Sequence, residues 1–341
     1  MLDRITGWFA PDVAVDLGTA RTSVFVRNRG IVVSEPSVLA VRREGAGPRV
    51  VAVGQQAHQM LGRTPGNMMA VRPLHEGVIA DFDATAEMLR HFLQLAVGSS
   101  WMRPRVIIAV PVGITEVEKR AVREAAEGAR AREVHLIEEP IAAAIGAGLP
   151  ITEPAGCMLV DVGAGTTEAA IISLGGIVHS RSVRVGGERM DQAIISHLKR
   201  RHSLLIGERT AEEVKLQVGA AAPVTPSLSM SVKGRDLVAG VPRMVQVTSD
   251  EIREALQEPV NVIVETVRNA LERTPPELAA DIAERGICLT GGGAQLRMLD
   301  RVLAQDTGVA VRLAEDPVGA VAVGGGKALE HMDMLSRVTL A

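Results

Sequence analysis

Two aspartates, Asp16 and Asp161, each end an apolar run and head a turn made of glycine, alanine and threonine. Residues 13–22 read V-A-V-D-L-G-T-A-R-T, and residues 158–167 read M-L-V-D-V-G-A-G-T-T. Gly18 lets the backbone turn closely. The N–H groups of Gly18, Thr19, Ala20 and Arg21, with the Thr19 and Thr22 hydroxyls, then form a cradle for phosphate oxygens. Gly163, Ala164, Gly165, Thr166 and Thr167 repeat the arrangement. A carboxylate at the head of such a turn would repel phosphate, so Asp16 and Asp161 are assigned to a hydrated divalent cation. Mg²⁺ keeps several waters and prefers oxygen ligands, which suits that position. One such turn alone reads better as a plain hairpin. Its recurrence about 145 residues later, with an acid at the head each time, points to two similar halves gripping one β/γ-phosphate tail across a cleft.

Other residues could complete such a site. Gly291, Gly292 and Gly293 follow an apolar run and precede a stretch of helical period. Three glycines permit close approach to a base, a ribose or an α-phosphate, and a helix start behind them favours an anion. The plainer reading is a tight turn that needs glycine, and the motif matches neither the dinucleotide fingerprint nor the P-loop. Glu212 and Lys215, three apart on a helix, could bond ribose hydroxyls or lie along a base; equally, they could form a solvated ion pair. T-E-V-E at 115–118 fits a capping box, with Thr115 as N-cap and Glu118 at N3. The sharper alternative makes Glu118 the group that orients a water for attack on a γ-phosphate. Glu138 or Glu139, at a strand end before Pro140, could hold a cation-bound water.

These residues need a scaffold, and the hydrophobic pattern supplies one. Strands are expected over 13–18, 22–27 and 30–40, then a small polar elaboration over 41–75. A helix over 84–96, a strand over 106–110, a helix over 115–130, a strand over 135–137 and an Ala-rich helix over 140–147 follow. The second half restarts at Met158. It continues with helices over 190–202 and 209–220, a β-containing insert over 221–248, and helices over 249–271 and 275–284. A strand at 287–289, a helix over 294–306, a strand around 309–313 and a terminal helix close the chain. Fully apolar strands alternating with helices imply an α/β sheet covered by helices.

A chain of 341 residues can bury a large core and split into two domains. With 47% apolar and 23% charged residues it has an ordinary globular balance. A net charge of −3 without a long basic tract argues against nucleic acid as ligand. Cys157 and Cys288 sit far apart in apolar stretches and read as buried hydrophobes of a reducing compartment. No run of 18 uncharged apolar residues is present, and the N-terminus lacks a secretory-signal pattern. With no Tyr, four Phe and two Trp, the core must be aliphatic, which makes the aromatic positions informative. Leu2, Ile5, Trp8 and Phe9 fall at helical spacing, and Trp101 with Met102 sits in an apparent loop. Both groups either pack on the protein itself or enter a membrane interface, where Trp is favoured.

Together these stretches resemble the MreB family of bacterial actin homologues, within the actin/Hsp70/sugar-kinase superfamily. The likeness rests on D-L-G-T-A-R-T at 16–22, E-P-S at 35–37, G-V-I-A-D-F at 77–82, the run from P-R-V-I-I-A-V-P through T-E-V-E-K-R at 104–120, and L-I-E-E-P at 136–140. It continues through V-D-V-G-A-G-T-T-E at 160–168, L-I-G-E-R-T-A-E-E-V-K at 205–215, G-I-C-L-T-G-G-G-A-Q-L-R at 286–297 and A-E-D-P at 314–317. The resemblance implies an α/β actin-like ATPase fold: two similar RNase H-like domains around a nucleotide cleft, each with a smaller subdomain. The subdomains would be 10–33, 76–150 and 315–341 (IA), 34–75 (IB), 151–188 and 247–314 (IIA), and 189–246 (IIB). It further implies ATP and Mg²⁺ as cofactors, with Asp16 and Asp161 at the metal, Glu118 favouring hydrolysis, and Glu212 and Lys215 on an adenosine-contacting helix. The expected assembly is a homopolymer of antiparallel double filaments on the inner face of the cytoplasmic membrane, organising wall synthesis with cell-wall elongation proteins. Residues 1–9 and the Trp101–Met102 loop look like the family's lipid contacts. A kinase or chaperone of the same superfamily, or a nucleotide-insensitive adaptor, is the alternative. Three positions depart from the family pattern. Arg21 adds a positive charge near the phosphates or the cleft rim, Ala164 adds a methyl group that hinders binding if its φ is positive, and Glu188 stands for an expected Asp.

Overall fold

A computed structural model describes residues 11–44, 47–98, 103–330 and 339–340. The expected contacts at residues 1–9 and at Trp101–Met102 lie outside that range. In chain order the elements are β1 (Asp12–Leu17), β2 (Arg21–Val26), β3 (Gly30–Pro36), β4 (Leu39–Glu44), β5 (Gly47–Val53), α1 (Gln55–Gln59), β6 (Met68–Val71), β7 (Leu74–His75) and β8 (Val78–Ile79). Next come α2 (Phe82–Val97), β9 (Arg105–Val110), α3 (Glu116–Gly128), β10 (Glu133–Glu138), α4 (Glu139–Gly146), β11 (Cys157–Val162), β12 (Thr167–Ser173) and β13 (Gly176–Val183). Then α5 (Gly187–His202), β14 (Leu204–Leu205), α6 (Glu208–Val218), β15 (Ser229–Asp236), β16 (Pro242–Thr248), α7 (Ser249–Glu272) and α8 (Pro276–Arg285) follow. The chain ends with β17 (Ile287–Thr290), α9 (Leu299–Thr307), β18 (Val311–Leu313), α10 (Ala320–Glu330) and β19 (Thr339–Leu340). Two compact units result: residues 1–155, 172–178 and 318–341 form the first, and residues 156–171 and 179–317 the second.

Each unit is built on the same sheet plan. The first has the order β19-β10-β9-β1-β2-β3, and the second β13-β12-β11-β17-β18. In both, three consecutive strands lie side by side, and the first of them then pairs in parallel with a strand from much later. Thus β1 runs parallel to β9 and β9 to β10, while β11 runs parallel to β17 and β17 to β18. The repeated phrase therefore corresponds to a repeated substructure.

The cores are aliphatic, as the composition requires. Among the largest fully buried side chains only Phe92 is aromatic. It lies on α2, whose buried Met88, Leu89, Phe92, Leu93 and Ala96 recur at helical spacing; Asp81 caps the helix start by accepting from Ala84 N–H at 3.0 Å. α7 buries Ile252, Leu256, Val260, Ile263, Val267 and Ala270 along one stripe. The glycines of α10 serve close packing. A Cβ on Gly324 would overlap the Ala142 carbonyl of α4, and one on Gly326 would overlap the Phe25 ring. Glycine costs a helix interior about 1 kcal/mol relative to alanine, which the close helix contact here offsets.

Two expected elements differ. The strand expected over 30–40 breaks at Ser37 and Val38, so that β3 stays in the main sheet and β4 joins a separate sheet of order β5-β4-β6. The break occurs because Ser37 turns inward, donating its N–H to Ala20 O and its hydroxyl to Gly18 O. The helix expected over 294–306 is also shorter. Residues Gly293–Gln295 form a single 3₁₀ turn, and α9 begins only after Met298, whose φ is 68°. Among the described residues no helix is long and apolar enough to cross a membrane.

Candidate functional site

In each unit the acid stands near the C-terminal end of a parallel strand, the edge at which open α/β sheets bind ligands. Asp16 on β1 pairs in register with Ala109 of β9, next to the pairing of Glu138 with Val110. Asp161 on β11 pairs with Thr290 of β17. Two residues beyond each acid is a glycine facing the carbonyl three residues on, more tightly in the first turn than in the second. A Cβ on Gly18 would lie 2.7 Å from the Arg21 carbonyl, and one on Gly163 would lie 3.4 Å from the Thr166 carbonyl. Gly163 N–H closes the second turn on Thr166 O at 2.9 Å.

The threonines divide into two roles that the sequence pattern merges. Thr22 and Thr167, each six residues past its aspartate, are both 0% exposed. Thr22 Oγ1 bonds Ser37 Oγ at 2.9 Å, and Thr167 Oγ1 donates to Val185 O at 2.7 Å. Thr19 is buried too, and its hydroxyl accepts from Gly77 N–H at 3.0 Å. The Thr19, Thr22 and Thr167 hydroxyls are thus bonded within the protein and brace the turns, while Thr166 is half-buried.

Asp161 is buried and perturbed. Its Oδ1 accepts from Thr290 Oγ1 at 2.9 Å, and burial pushes its carboxyl up to about 6, against that hydrogen bond. A buried carboxylate balanced by a hydroxyl alone is suited to a cation brought by a ligand. Among the described residues no group of three or more His, Cys, Asp or Glu forms a metal cage. That donor set fits Mg²⁺, which is ordinarily held by one or two carboxylates together with phosphate oxygens.

The triple glycine packs onto the Asp161 turn. A Cβ on Gly291 would overlap Val162 O and lie 2.7 Å from Asp161 Oδ1, and one on Gly293 would lie 2.7 Å from Val162 Cγ1. Only Gly292 opens outward, with nothing within 4 Å of its would-be Cβ. The tight turn thus requires glycine at 291 and 293, and Gly292 alone of the three has open space beside its Cα. The anion-favouring helix start expected behind them is withdrawn, since one 3₁₀ turn follows instead.

Sequence reasoning misses Gly186 and Gly187. Gly187 N–H donates to Gly163 O at 3.0 Å and Glu188 N–H to Ala164 O at 2.9 Å, so the start of α5 is fastened to the Asp161 turn. A side chain on Gly186 would strike the Gly163 and Ala164 carbonyls, at 2.5 and 2.7 Å. The G-G pair before a stretch of helical period is the available signal. Ala164 is not among the residues of positive φ, so its methyl group introduces no backbone strain.

Lys215 is not in an ion pair with Glu212. Its Nζ donates to Gly187 O and to Asp191 Oδ2, both at 2.9 Å, locking α6 to the start of α5. Burial raises the Asp191 carboxyl to about 6, outweighing the attraction of Lys215. Because that folded-state value is raised, ionising Asp191 costs stability as pH climbs through it. Lys215→Met is therefore expected to melt close to wild type at about pH 5 and progressively lower toward about pH 8, in thermal scans read against wild type.

In the first unit, Arg21 is exposed and donates to Ser34 O at 2.7 Å and Ser34 Oγ at 3.2 Å, along the sheet. Glu118 closes the expected capping box. Thr115 donates to Glu118 Oε2 from its N–H at 2.8 Å and from its hydroxyl at 2.6 Å, and Glu118 N–H returns to Thr115 Oγ1. Burial holds the Glu138 carboxyl above its ordinary range, with Lys119 opposing.

Comparison with known proteins agrees with this geometry. The family model described as MreB/Mbl protein matches residues 10–337. The chain is 57% identical over 338 residues to the cell shape-determining protein MreB of Escherichia coli K12, covering 98% of this chain and 97% of that protein. Crystal structures of MreB5 of Spiroplasma citri, bound to ADP and to AMPPNP, superpose with a TM-score of 0.90 at 36% identity, covering 96% of this chain and 98% of theirs. A MamK double helical filament matches in fold, with a TM-score of 0.79 at 22% identity over 94% of this chain and 99% of that one.

Proposed function

The chain belongs to the MreB/Mbl family of cell shape-determining proteins, and from that premise we propose that it is an ATP-dependent, filament-forming bacterial actin. It assembles on the inner face of the cytoplasmic membrane and organises wall synthesis. The observation that carries this reading is the duplicated acid-headed turn at the C-terminal edge of both main sheets. The nucleotide-bound structures of a 36% identical relative support it.

When bound, Mg-ATP supplies an electrophilic γ-phosphate and a hydrated cation. Asp16 and Asp161 would hold that cation. The backbone N–H groups of Gly18, Thr19, Ala20 and Arg21, and those of Gly163 through Thr167, orient the phosphate tail. Gly292 lets the base or α-phosphate approach the backbone, with Gly291 and Gly293 shaping its turn. Glu212 bonds the ribose, while Lys215 acts through α5 by fixing the Asp161 turn. Glu118, at the start of α3, would orient a water for attack on the γ-phosphate, and hydrolysis would be slow and coupled to polymer turnover. In the four-subdomain division given above, 34–75 and 189–246 are the smaller subdomains. Antiparallel double filaments, lipid contact through Leu2, Ile5, Trp8, Phe9, Trp101 and Met102, and association with elongation proteins complete the proposal.

Sedimentation with and without Mg-ATP and liposomes tests it, and absence of polymer across salt and protein concentrations would count decisively against it. Glu118 permits a sharper experiment because capping and catalysis separate. Glu118→Gln keeps the N3 acceptor and is expected to melt as wild type yet hydrolyse ATP on the order of a hundredfold more slowly. Glu118→Ala should lose the same activity and about 1 kcal/mol of helix stability. Full hydrolysis by the Gln variant would confine Glu118 to capping.

A further inference from the structure

The last turn of α6, like every helix end, has carbonyls without intrahelical partners. Gly219 N–H takes the Lys215 carbonyl at 2.9 Å. The next carbonyl is taken from outside the helix. Arg297 Nη1 donates to Leu216 O at 2.9 Å and to Gly219 O at 3.3 Å. A guanidinium at a helix C-terminus also meets the negative end of the helix dipole. The main chain repeats the attachment: Ala221 N–H donates to Arg297 O at 2.8 Å, and Ala220 and Arg297 form a parallel β-bridge. Gly219 permits this close turn, since a Cβ there would lie 2.4 Å from Lys215 O.

The two segments joined in this way carry the residues assigned to the nucleoside end of the ligand. Arg297 ends the stretch that leaves the triple glycine through the 3₁₀ turn Gly293–Gln295. Ala294 and Leu296 are buried in the core along that stretch, so Arg297 and Gly292 are tied to one rigid piece of chain. On the other side, Leu216 lies one helical turn past the half-buried Glu212, on the same side of α6. The Asp161 turn has separate fastenings, from Gly187 N–H to Gly163 O, from Glu188 N–H to Ala164 O and from Lys215 to Gly187 O.

We propose that Arg297 is a positioning residue for the nucleoside end of the bound nucleotide. It acts through α6: by clamping the C-terminal end of that helix to the segment leaving the triple glycine, it fixes Glu212 relative to Gly292. Ribose and base then meet two walls already in place, and preorganisation of this kind strengthens binding because the ligand need not order the walls itself. The inference rests on the nucleotide reading above, with Glu212 and Gly292 as its nucleoside contacts. A helix cap that only stabilises α6 is the plainer reading, and it predicts a different outcome.

The test compares the full wild-type chain with Arg297→Ala and Arg297→Lys, by thermal melting, calorimetric titration with Mg-ATP and steady-state hydrolysis. Arg297→Ala should bind Mg-ATP about tenfold more weakly, the equivalent of one hydrogen bond from a charged donor. KM should rise in proportion while kcat changes by less than about twofold, because the reacting phosphate and Glu118 are left as they were. Arg297→Lys keeps the charge and a donor and should recover most of the affinity. Glu212→Ala should weaken binding alone, and adding Arg297→Ala to it should weaken binding by only about twofold more, since the two changes share one route. Wild-type affinity in Arg297→Ala, with a lower melting temperature as its only defect, would reduce Arg297 to a helix cap and overturn the inference. Fully additive losses with Glu212→Ala, or a fall in kcat as large as the rise in KM, would overturn it as well. If wild type binds Mg-ATP and Glu212→Ala binds it equally well, the clamp fails while the nucleotide reading stands. If wild type itself binds no Mg-ATP, the nucleotide reading fails and the clamp falls with it.

Discussion

Replacing Asp161 by asparagine is expected to stabilise the nucleotide-free protein at neutral pH while removing its Mg²⁺-dependent affinity for ATP. The effect does not enter through shape, because the amide side chain retains an oxygen to accept from Thr290 Oγ1 at the same place. What changes is charge. Burial raises the Asp161 carboxyl from 3.8 to about 6, a difference worth about 3 kcal/mol between its two protonation states. The folded-state value lies above the unfolded one, so the proton-bound form is the one that folding favours. Stability from this group is fully present below the unfolded value and is lost as pH rises through about 6. Wild type and Asp161→Asn should therefore melt together below about pH 4 and separate as pH rises to about 6, with the variant higher by up to about 3 kcal/mol. Adding Mg-ATP should close most of that gap. A ligand at about a hundred times its dissociation constant stabilises wild type by about 2.7 kcal/mol, and the variant should gain little. Thermal scans across pH, with and without Mg-ATP, read both effects. A variant that keeps its Mg-dependent shift would remove Asp161 from the cation site. Such a trade, in which a site residue lowers the stability of the empty protein, is common where function requires an uncompensated buried charge.

Much of the scaffold for this acid is legible in the sequence, and the failures have specific causes. The alternation that identifies β1 and β2 also assigns Thr22 to the core face. It is in phase with Val24 and Val26 and pairs with Leu17, all of them core residues. Thr167 is likewise in phase with Ala169 and Ile171. Reading these threonines by their chemistry instead of their phase sends both hydroxyls to phosphate. Ser37 cannot be found that way. It reaches Gly18 and Thr22 only because the chain leaves the main sheet at that residue, and the local signal of that break is Pro36, which cannot donate to a ladder. The Lys215 contact is similarly hidden, since a helical spacing offers Glu212 as a partner and says nothing of Asp191 on a different helix. Periodicity also carries the helix at 294–306 too far toward the N-terminus. Apolar spacing persists across Leu296 and Leu299, but Met298 adopts the left-handed region and interrupts it.

The triple glycine gives the second large prediction, because three identical residues are asked to do different things. Gly291 has a φ of +87° and carries its N–H to Pro317 O at 2.8 Å. Alanine there adopts a backbone region that costs an L-residue about 1–2 kcal/mol, and its methyl group would also overlap Val162 O and approach Asp161 Oδ1. Those atoms belong to the acid-headed turn, so relief of the clash must move the turn. Gly291→Ala is expected to lose several kcal/mol of stability, roughly the strain plus an overpacking penalty of about 1–3 kcal/mol, together with nucleotide binding. Gly292 is helical in backbone, with φ −64° and ψ −35°, and open on its Cβ side. Gly292→Ala should therefore fold as wild type or gain about 0.4–1 kcal/mol from a less flexible unfolded chain. Its cost appears only when ligand approaches, because the added methyl group stands where a base or phosphate would meet the backbone. Chemical denaturation and calorimetric titration with Mg-ATP separate the two variants on two axes. A Gly292→Ala protein with unaltered affinity would show that the nucleotide does not come close to this turn. In that case the three glycines would be needed only to let β17 turn beneath Asp161.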